Sequence, residues 1–353
     1  MPTLAAITLH PTGGGVTVVA DLLWRVLQAR GRARLVTMFS HENRPASLAE
    51  KVAFGLTMTA AQVTGRTDWT MFSHLGLAQV QNALPAFVRR PYAVFLHGIE
   101  AWNTLTPTEL RALANADVRL SNSHYTAARV MAAHPGVGRV DACPLALPPE
   151  RRTRTVTAAD AWPGLGPRAV LVVGRMSSGE RYKGHDELID VWPRVVATVP
   201  DAQLVIAGSG DDSARLRQKA AASTAAAQIV FTGYVTDAQL ASLYRQAAVF
   251  ALPSRGEGFG LVYLEAMAQG LPCIGSIHDA ATDVIVDHVT GRLVDQSQGT
   301  ALADAAIALL ADDEGRRRLG EAGRVREREV FSFDRFAARV HELLAPLDQA
   351  STR

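Results

Sequence analysis

Short apolar runs alternate with amphipathic stretches along most of this chain. The first run, Leu4–Leu9, is bounded by Pro11 and by Gly13, Gly14 and Gly15. After it, Val18, Val19, Leu22, Leu23, Val26 and Leu27 recur at helical spacing, which predicts a helix over Val16–Arg30 closed by Gly31. Arg34–Phe39 reads as the next strand. A strand–loop–helix–strand unit implies parallel strands joined by a right-handed crossover. Thr70–Phe72, Tyr92–Leu96 and Val118–Ser121 are further short apolar runs that predict buried strands, whereas residues 41–69 and 75–90 show no clear period.

The second half alternates more regularly. Strand-like Ala169–Val173, Leu204–Ala207, Ile229–Thr232, Val249–Leu252 and Cys273–Gly275 precede helical patterns over Asp186–Val199, Asp212–Ala222, Asp237–Ala247, Leu261–Gln269 and Asp279–Val286. Five strand-then-helix repeats predict a doubly wound parallel sheet, and the first half looks like a looser version of the same plan. Between Pro144 and Pro167 the composition turns rich in proline and arginine (Pro148, Pro149, Arg151, Arg152, Pro163), which reads as an interdomain linker. The expected domains are 1–148, 149–330, and a C-terminal helix over 331–353 that packs back toward the first domain, with Ser332 as its N-cap.

Composition narrows the class. A chain of 353 residues suits two domains, and 48% hydrophobic with 20% charged residues excludes a disordered or collagen-like chain. Against 34 acidic residues the 36 Lys and Arg leave a net charge of +2, too small to predict a nucleic-acid partner. Two cysteines, Cys143 and Cys273, make no disulfide framework and fit a reduced, cytoplasmic setting. The residues before His10 make a poor signal peptide, and no window reaches the roughly 20 apolar residues a spanning helix needs.

The segment from Pro253 to Pro272 carries the sharpest chemistry. It leaves a buried strand, passes Gly256, Gly258 and Gly260, and enters a helix that stops at Gly270. Glycines let backbone N–H groups approach a ligand, and the helix N-terminus adds its unpaired donors and dipole, which together make a phosphate site. Glu257 in the turn and Glu265 in the helix place acceptor-only carboxylates beside it, suited to hydroxyls. The same pattern also suits an ordinary strand–turn–helix corner with two surface carboxylates.

Glu257 and Glu265, with Gly258 to Leu264 between them, resemble the paired-glutamate motif of glycosyltransferase family 4, retaining enzymes of the GT-B fold. The resemblance extends over the second domain through Gly174-Arg175, Tyr182 to Gly184, Val205 to Gly210 and Phe231 to Tyr234. It is fainter in the first domain, through Gly13 to Gly15, His97-Gly98 and Ser121 to Ser123. It implies two Rossmann-like doubly wound domains facing across a cleft. It also implies transfer of a sugar from a nucleoside-diphosphate sugar, of UDP-glucose or GDP-mannose type, to an acceptor hydroxyl in glycan, polysaccharide or glycoconjugate biosynthesis, with anomeric configuration kept.

Under that resemblance Arg175 and Lys183 bind the donor pyrophosphate, Arg181 being a candidate to share the role because the loop between them is long. His97 contacts the donor sugar near the reacting carbon, Glu257 the hydroxyls of the transferred sugar, and Glu265 the ribose. Backbone N–H groups of Gly258, Phe259, Gly260, Leu261 and Val262 complete the cradle, while Gly14 and Gly15 line the diphosphate and acceptor. No metal is required, cationic side chains and a helix terminus taking that work. Phe231 belongs either to the nucleoside pocket or to the core, and Asp211-Asp212 reads as a helix cap. The acceptor is a sugar, a glycan or a lipid-linked molecule. For a lipid-linked acceptor, Arg89-Arg90 or Trp102 are candidates to meet the inner face of a membrane, whereas Arg151-Arg152 and Arg316 to Arg318 read as solvated. Oligomeric state is not legible. Two rivals remain: a GT-B-fold sugar phosphorylase or nucleotide-sugar epimerase, and a non-catalytic dinucleotide-binding protein.

Overall fold

The computed structural model describes residues 1–10, 14–39, 46–152 and 162–350. These divide into two compact units, Met1–Pro148 together with Phe333–Arg353, and Pro149–Ser332.

The first unit holds six parallel strands: β1 (Thr3–Ala6), β2 (Arg34–Thr37), β3 (Thr70–Phe72), β4 (Tyr92–Leu96), β5 (Val118–Ser121) and β6 (Asp141–Ala142), in the order β2-β1-β3-β4-β5-β6. β1, β3 and β4 are buried throughout, as continuous apolar runs in a parallel sheet should be. The helix Gly15–Ala29 covers β1 with Val19, Leu22, Leu23, Val26 and Leu27. Two further helices begin at capping boxes, Ser47 with Glu50 for Leu48–Val63 and Thr106 with Glu109 for Pro107–Ala114. The terminal helix Phe333–Ala350 belongs to this unit. It buries Phe336, Val340, Leu344 and Leu347, and Asp348 accepts from Trp69 Nε1 at 2.9 Å and also pairs with Arg30.

The second unit repeats the plan with β7 (Ala169–Val173), β8 (Gln203–Ala207), β9 (Ile229–Gly233), β10 (Val249–Ala251), β11 (Cys273–Ser276) and β12 (Gly291–Val294), all parallel, in the order β12-β11-β10-β7-β8-β9. The winding therefore reverses between β10 and β7, and open α/β sheets bind ligands beyond the carboxyl ends of the strands at such a switch point. The helix expected over Asp279–Val286 is a single turn, Ala281–Val284. β12 and the helices Gly299–Ala311 and Asp313–Val330, to which no pattern was assigned, complete the unit. No helix among the described residues is long and apolar enough to cross a membrane.

Candidate active site

The switch point of the second unit is built by the loops that follow β7 and β10. After β7 the chain turns at Gly174 and winds through a 3-10 segment, Ser178–Lys183, to Gly184. Gly184 has φ +83, and a Cβ there would stand 2.5 Å from the Pro253 carbonyl oxygen and 2.7 Å from Pro253 Cγ, so only glycine lets this corner seat against the end of β10. Arg255 N–H donates to the Tyr182 carbonyl at 2.9 Å, fastening the two loops together. Arg175 and Lys183 therefore stand beside the turn that carries Glu257. Both cations share one carboxylate: Arg175 pairs with Glu180 Oε1, and Lys183 Nζ lies 3.5 Å from Oε2. Glu180 is a mostly buried anion between two cations. Arg181 is committed elsewhere, donating to Asp212 at 2.9 and 3.2 Å.

After β10 the chain passes Gly256, Glu257 and Gly258 and enters the helix Leu261–Ala268 through Gly260. Gly260 has φ +85 and caps that helix without a side chain. A Cβ on it would come within 2.7 Å of Tyr263 Cε2 and 3.3 Å of Glu257 Cγ, so a glycine is needed for both the angle and the space. The Phe259 ring turns into the core, edge-on to Phe331 at 5.8 Å, and leaves its backbone at the turn. Leu261 and Val262 form the first helical turn, whose N–H groups lack partners within the helix.

Glu257 and Glu265 are held in different ways. Glu257 N–H donates to Asp279 Oδ2 at 3.3 Å, and its carbonyl accepts from Ala280 N–H at 3.1 Å. Glu265 is held by its side chain, with Oε1 2.6 Å from Arg151 Nη1 and Oε2 accepting from the Tyr244 hydroxyl at 3.0 Å. Burial, with Glu265 beside it, pushes the Tyr244 phenol well above its ordinary range, so it remains a donor. Arg151, Asp237, Leu240, Ala241, Tyr244 and Gln269 line a small pocket around Glu265.

Sequence reasoning missed Glu180, Asp279, Tyr244 and Arg151. Arg151 and Arg152, read as solvated, are both paired: Arg152 Nη2 reaches the buried Glu327 at 3.1 Å. Arg316, read the same way, pairs with Asp313 at 2.6 Å. Asp212 precedes its helix but makes no capping bond with its side chain; it binds Arg181 and Arg215 instead, while Asp211 accepts from Ser178. Phe231 is half-buried under the Arg217 guanidinium, 4.7 Å from its ring centroid.

The remaining candidates belong to the first unit. His97 follows β4, as its place in the sequence implied. Its Nε2 lies 2.6 Å from the Ser73 carbonyl, which fixes that nitrogen as the donor in the neutral ring. Glu100 accepts from His97 N–H at 2.5 Å, Asn122 Nδ2 donates to its carbonyl at 2.6 Å, and the ring stacks on His74. Burial, then His97, lowers the pKa of His74. Gly14, at φ +75, caps the helix that Gly15 opens, whereas Gly13 lies outside the described residues. Among the described residues no three His, Cys, Asp or Glu are grouped to hold a metal ion.

Comparison with known proteins gives this geometry a context. The family model for glycosyl transferases group 1 matches residues 163–326. The chain is 33% identical over 270 residues to the GDP-mannose-dependent alpha-(1-6)-phosphatidylinositol monomannoside mannosyltransferase of Mycolicibacterium smegmatis, covering 70% of this chain and 68% of that protein. It is 41% identical over 163 residues to the phosphatidyl-myo-inositol mannosyltransferase of Mycobacterium leprae, which is 46% of this chain and 42% of the relative, under half its length. Among solved structures, sucrose-phosphate synthase from Thermosynechococcus elongatus superposes with a TM-score of 0.80 at 22% identity, covering 99% and 100% of the two chains. HepE from Anabaena in complex with UDP gives 0.77 at 18% identity, covering 98% and 100%. These likenesses establish the GT-B fold.

Proposed function

The chain belongs to the group 1 glycosyltransferases, and we propose that it transfers a sugar from a nucleoside-diphosphate sugar to an acceptor hydroxyl with retention of anomeric configuration. The observation that carries this reading is the convergence of Arg175 and Lys183 on the Glu180 carboxylate, beside the Glu257 turn at the β10/β7 switch point. Two cations arranged around one anion suit a diphosphate, which would displace Glu180 and draw its departing charge onto them. The N–H groups of the helix Leu261–Ala268 add fixed dipoles at the same end. Glu265, braced on both oxygens, would accept from the ribose hydroxyls, and Glu257 from hydroxyls of the transferred sugar. In this mechanism the acceptor attacks on the face the diphosphate leaves, and a donor phosphate oxygen takes its proton. It requires neither a protein nucleophile nor a metal.

The relatives favour GDP-mannose over UDP-glucose as donor and a phosphatidylinositol-type glycolipid as acceptor. A lipid acceptor would bring the protein to a membrane surface. The helix Leu48–Val63 turns Leu48, Val52, Leu56 and Val63 outward, and Phe87, 91% exposed, lies in the loop that Arg90 N–H ties to Gln62 on this helix. That face supports peripheral contact better than Trp102, whose ring is buried edge-on to Tyr125 with Arg129 over it.

The test is to incubate the protein with GDP-mannose and phosphatidylinositol-containing vesicles and follow GDP release and product configuration by NMR. An α-linked mannolipid with stoichiometric GDP is expected. A β-linked product would overturn retention, and release that depends on inorganic phosphate would favour a phosphorylase.

A further inference from the structure

Asp279 lies at the mouth of β11, wholly buried, and it fastens the Glu257 turn from behind. Its Oδ2 accepts the Glu257 N–H at 3.3 Å and its Oδ1 the Ala281 N–H at 2.9 Å. The next residue completes the strap, with Ala280 N–H donating to the Glu257 carbonyl at 3.1 Å. Both backbone polar groups of Glu257 are thus taken by residues 279 and 280, and its side chain leaves the backbone from a fixed point. A simple turn-capping aspartate would need only the local bond to Ala281. This one spends its second oxygen on a distant segment.

We propose that Asp279 is the positioning residue for Glu257: in its ionised form it sets where the Glu257 carboxylate stands against the transferred sugar. The inference rests on the reading of Glu257 as a donor-sugar contact.

The surroundings make the strap sensitive to pH. Asp279 is faced by the Glu257 carboxylate on the turn, by the Tyr263 phenol on the helix Leu261–Ala268, and by the Ser254 hydroxyl after β10. Neighbouring His278 is turned to Asp295, 3.0 Å away. With no cation facing it among the described residues, burial and then the Glu257 charge outweigh the N–H bonds it accepts, and its carboxyl is pushed up to about 7. Below that pH one oxygen becomes a hydroxyl and releases one of its two N–H partners.

Calorimetric titration of wild type and Asp279→Asn with GDP and GDP-mannose, or with UDP and UDP-glucose if that pair binds, tests this. The variant should bind the nucleoside diphosphate within about two-fold of wild type and lose about ten-fold for the sugar nucleotide, the worth of one good contact. Wild-type affinity for the sugar nucleotide should fall several-fold from pH 8 to pH 6, while the variant stays flat. Equal weakening for both ligands, or a flat wild-type profile, would overturn the proposal. The wild-type arm stands even if the variant does not fold. If wild type binds no nucleotide, the transferase reading fails. Hydrogen exchange then decides the strap alone: amide protection across the Glu257 turn, corrected for intrinsic rates, should drop on acidification in wild type, and unchanged protection would refute it.

Discussion

Glu257 and Glu265 stand on one turn-and-helix segment, but the molecule holds them by opposite means. Glu257 is fixed through its main chain, by Asp279 and Ala280 behind it and by the left-handed Gly260 ahead. Glu265 sits on a regular helix and is fixed at its carboxylate, by Arg151 and Tyr244. A carboxylate placed by its backbone depends on how the turn is built. One placed by its side-chain partners depends on which residues reach it. The two should therefore fail differently when altered.

The largest effect belongs to the backbone-held turn. The Asp279 carboxyl titrates at about 7 in the fold against 3.8 for the free side chain, so the folded state binds its proton more tightly than the unfolded chain. Its stabilising contribution is present in full below about pH 4 and is lost as pH rises through 7. Asparagine does not titrate. Denaturation of Asp279→Asn and wild type at pH 4 and pH 8 should show the difference between them moving in the variant's favour by about 4 kcal/mol as pH rises. An unchanged difference would mean that Asp279 ionises freely.

Gly260→Ala comes next. It forces an L side chain into φ +85 and against Tyr263, at about 3 kcal/mol in urea denaturation, and should abolish sugar-nucleotide binding. Tolerance of alanine there would separate the turn from the site. Tyr244→Phe acts on the side-chain-held member and removes one hydrogen bond to Glu265 Oε2, worth about 1 kcal/mol. It should weaken GDP by several-fold and leave the extra affinity of GDP-mannose over GDP intact. Loss of that extra affinity would contradict the proposed separation of ribose and sugar contacts between Glu265 and Glu257. The smallest effect is at the apolar helix face, where Leu56→Asp should lower co-sedimentation with anionic vesicles and leave GDP affinity unchanged.

The sequence announced the second sheet more clearly than the first for a physical reason. β7, β8, β10 and β11 are buried almost throughout, and the helices His185–Thr198, Ser213–Ala221 and Asp237–Gln246 that follow β7, β8 and β9 carry polar faces, so the alternation survives in one dimension. The helix Leu48–Val63 hid because it is apolar on two sides: Phe54 and Met58 face the core while Leu48, Val52 and Leu56 face outward. Only its Ser47–Glu50 capping box marked the start. Arg175, Lys183, Glu257 and Glu265 were legible as candidates because each lies in a loop, or in the turn and helix, directly after a strand that the sequence predicts. Their partners were not. Glu180 sits in the loop between the two cations, Asp279 arrives from beyond β11 and Arg151 from a proline-rich stretch, and no local pattern records which carboxylate an arginine will reach. Residues 153–161, where the linker was expected to continue, lie outside the described residues.

The central claim is that the β10/β7 switch point takes a nucleoside diphosphate, with Glu265 at its ribose. Titrating GDP-mannose and UDP-glucose into wild type and Glu265→Ala tests it most directly. The account predicts that wild type binds GDP-mannose and that Glu265→Ala loses at least ten-fold of that affinity while remaining folded. Equal affinity in the folded variant, or no binding of either sugar nucleotide to wild type at millimolar concentration, would contradict it.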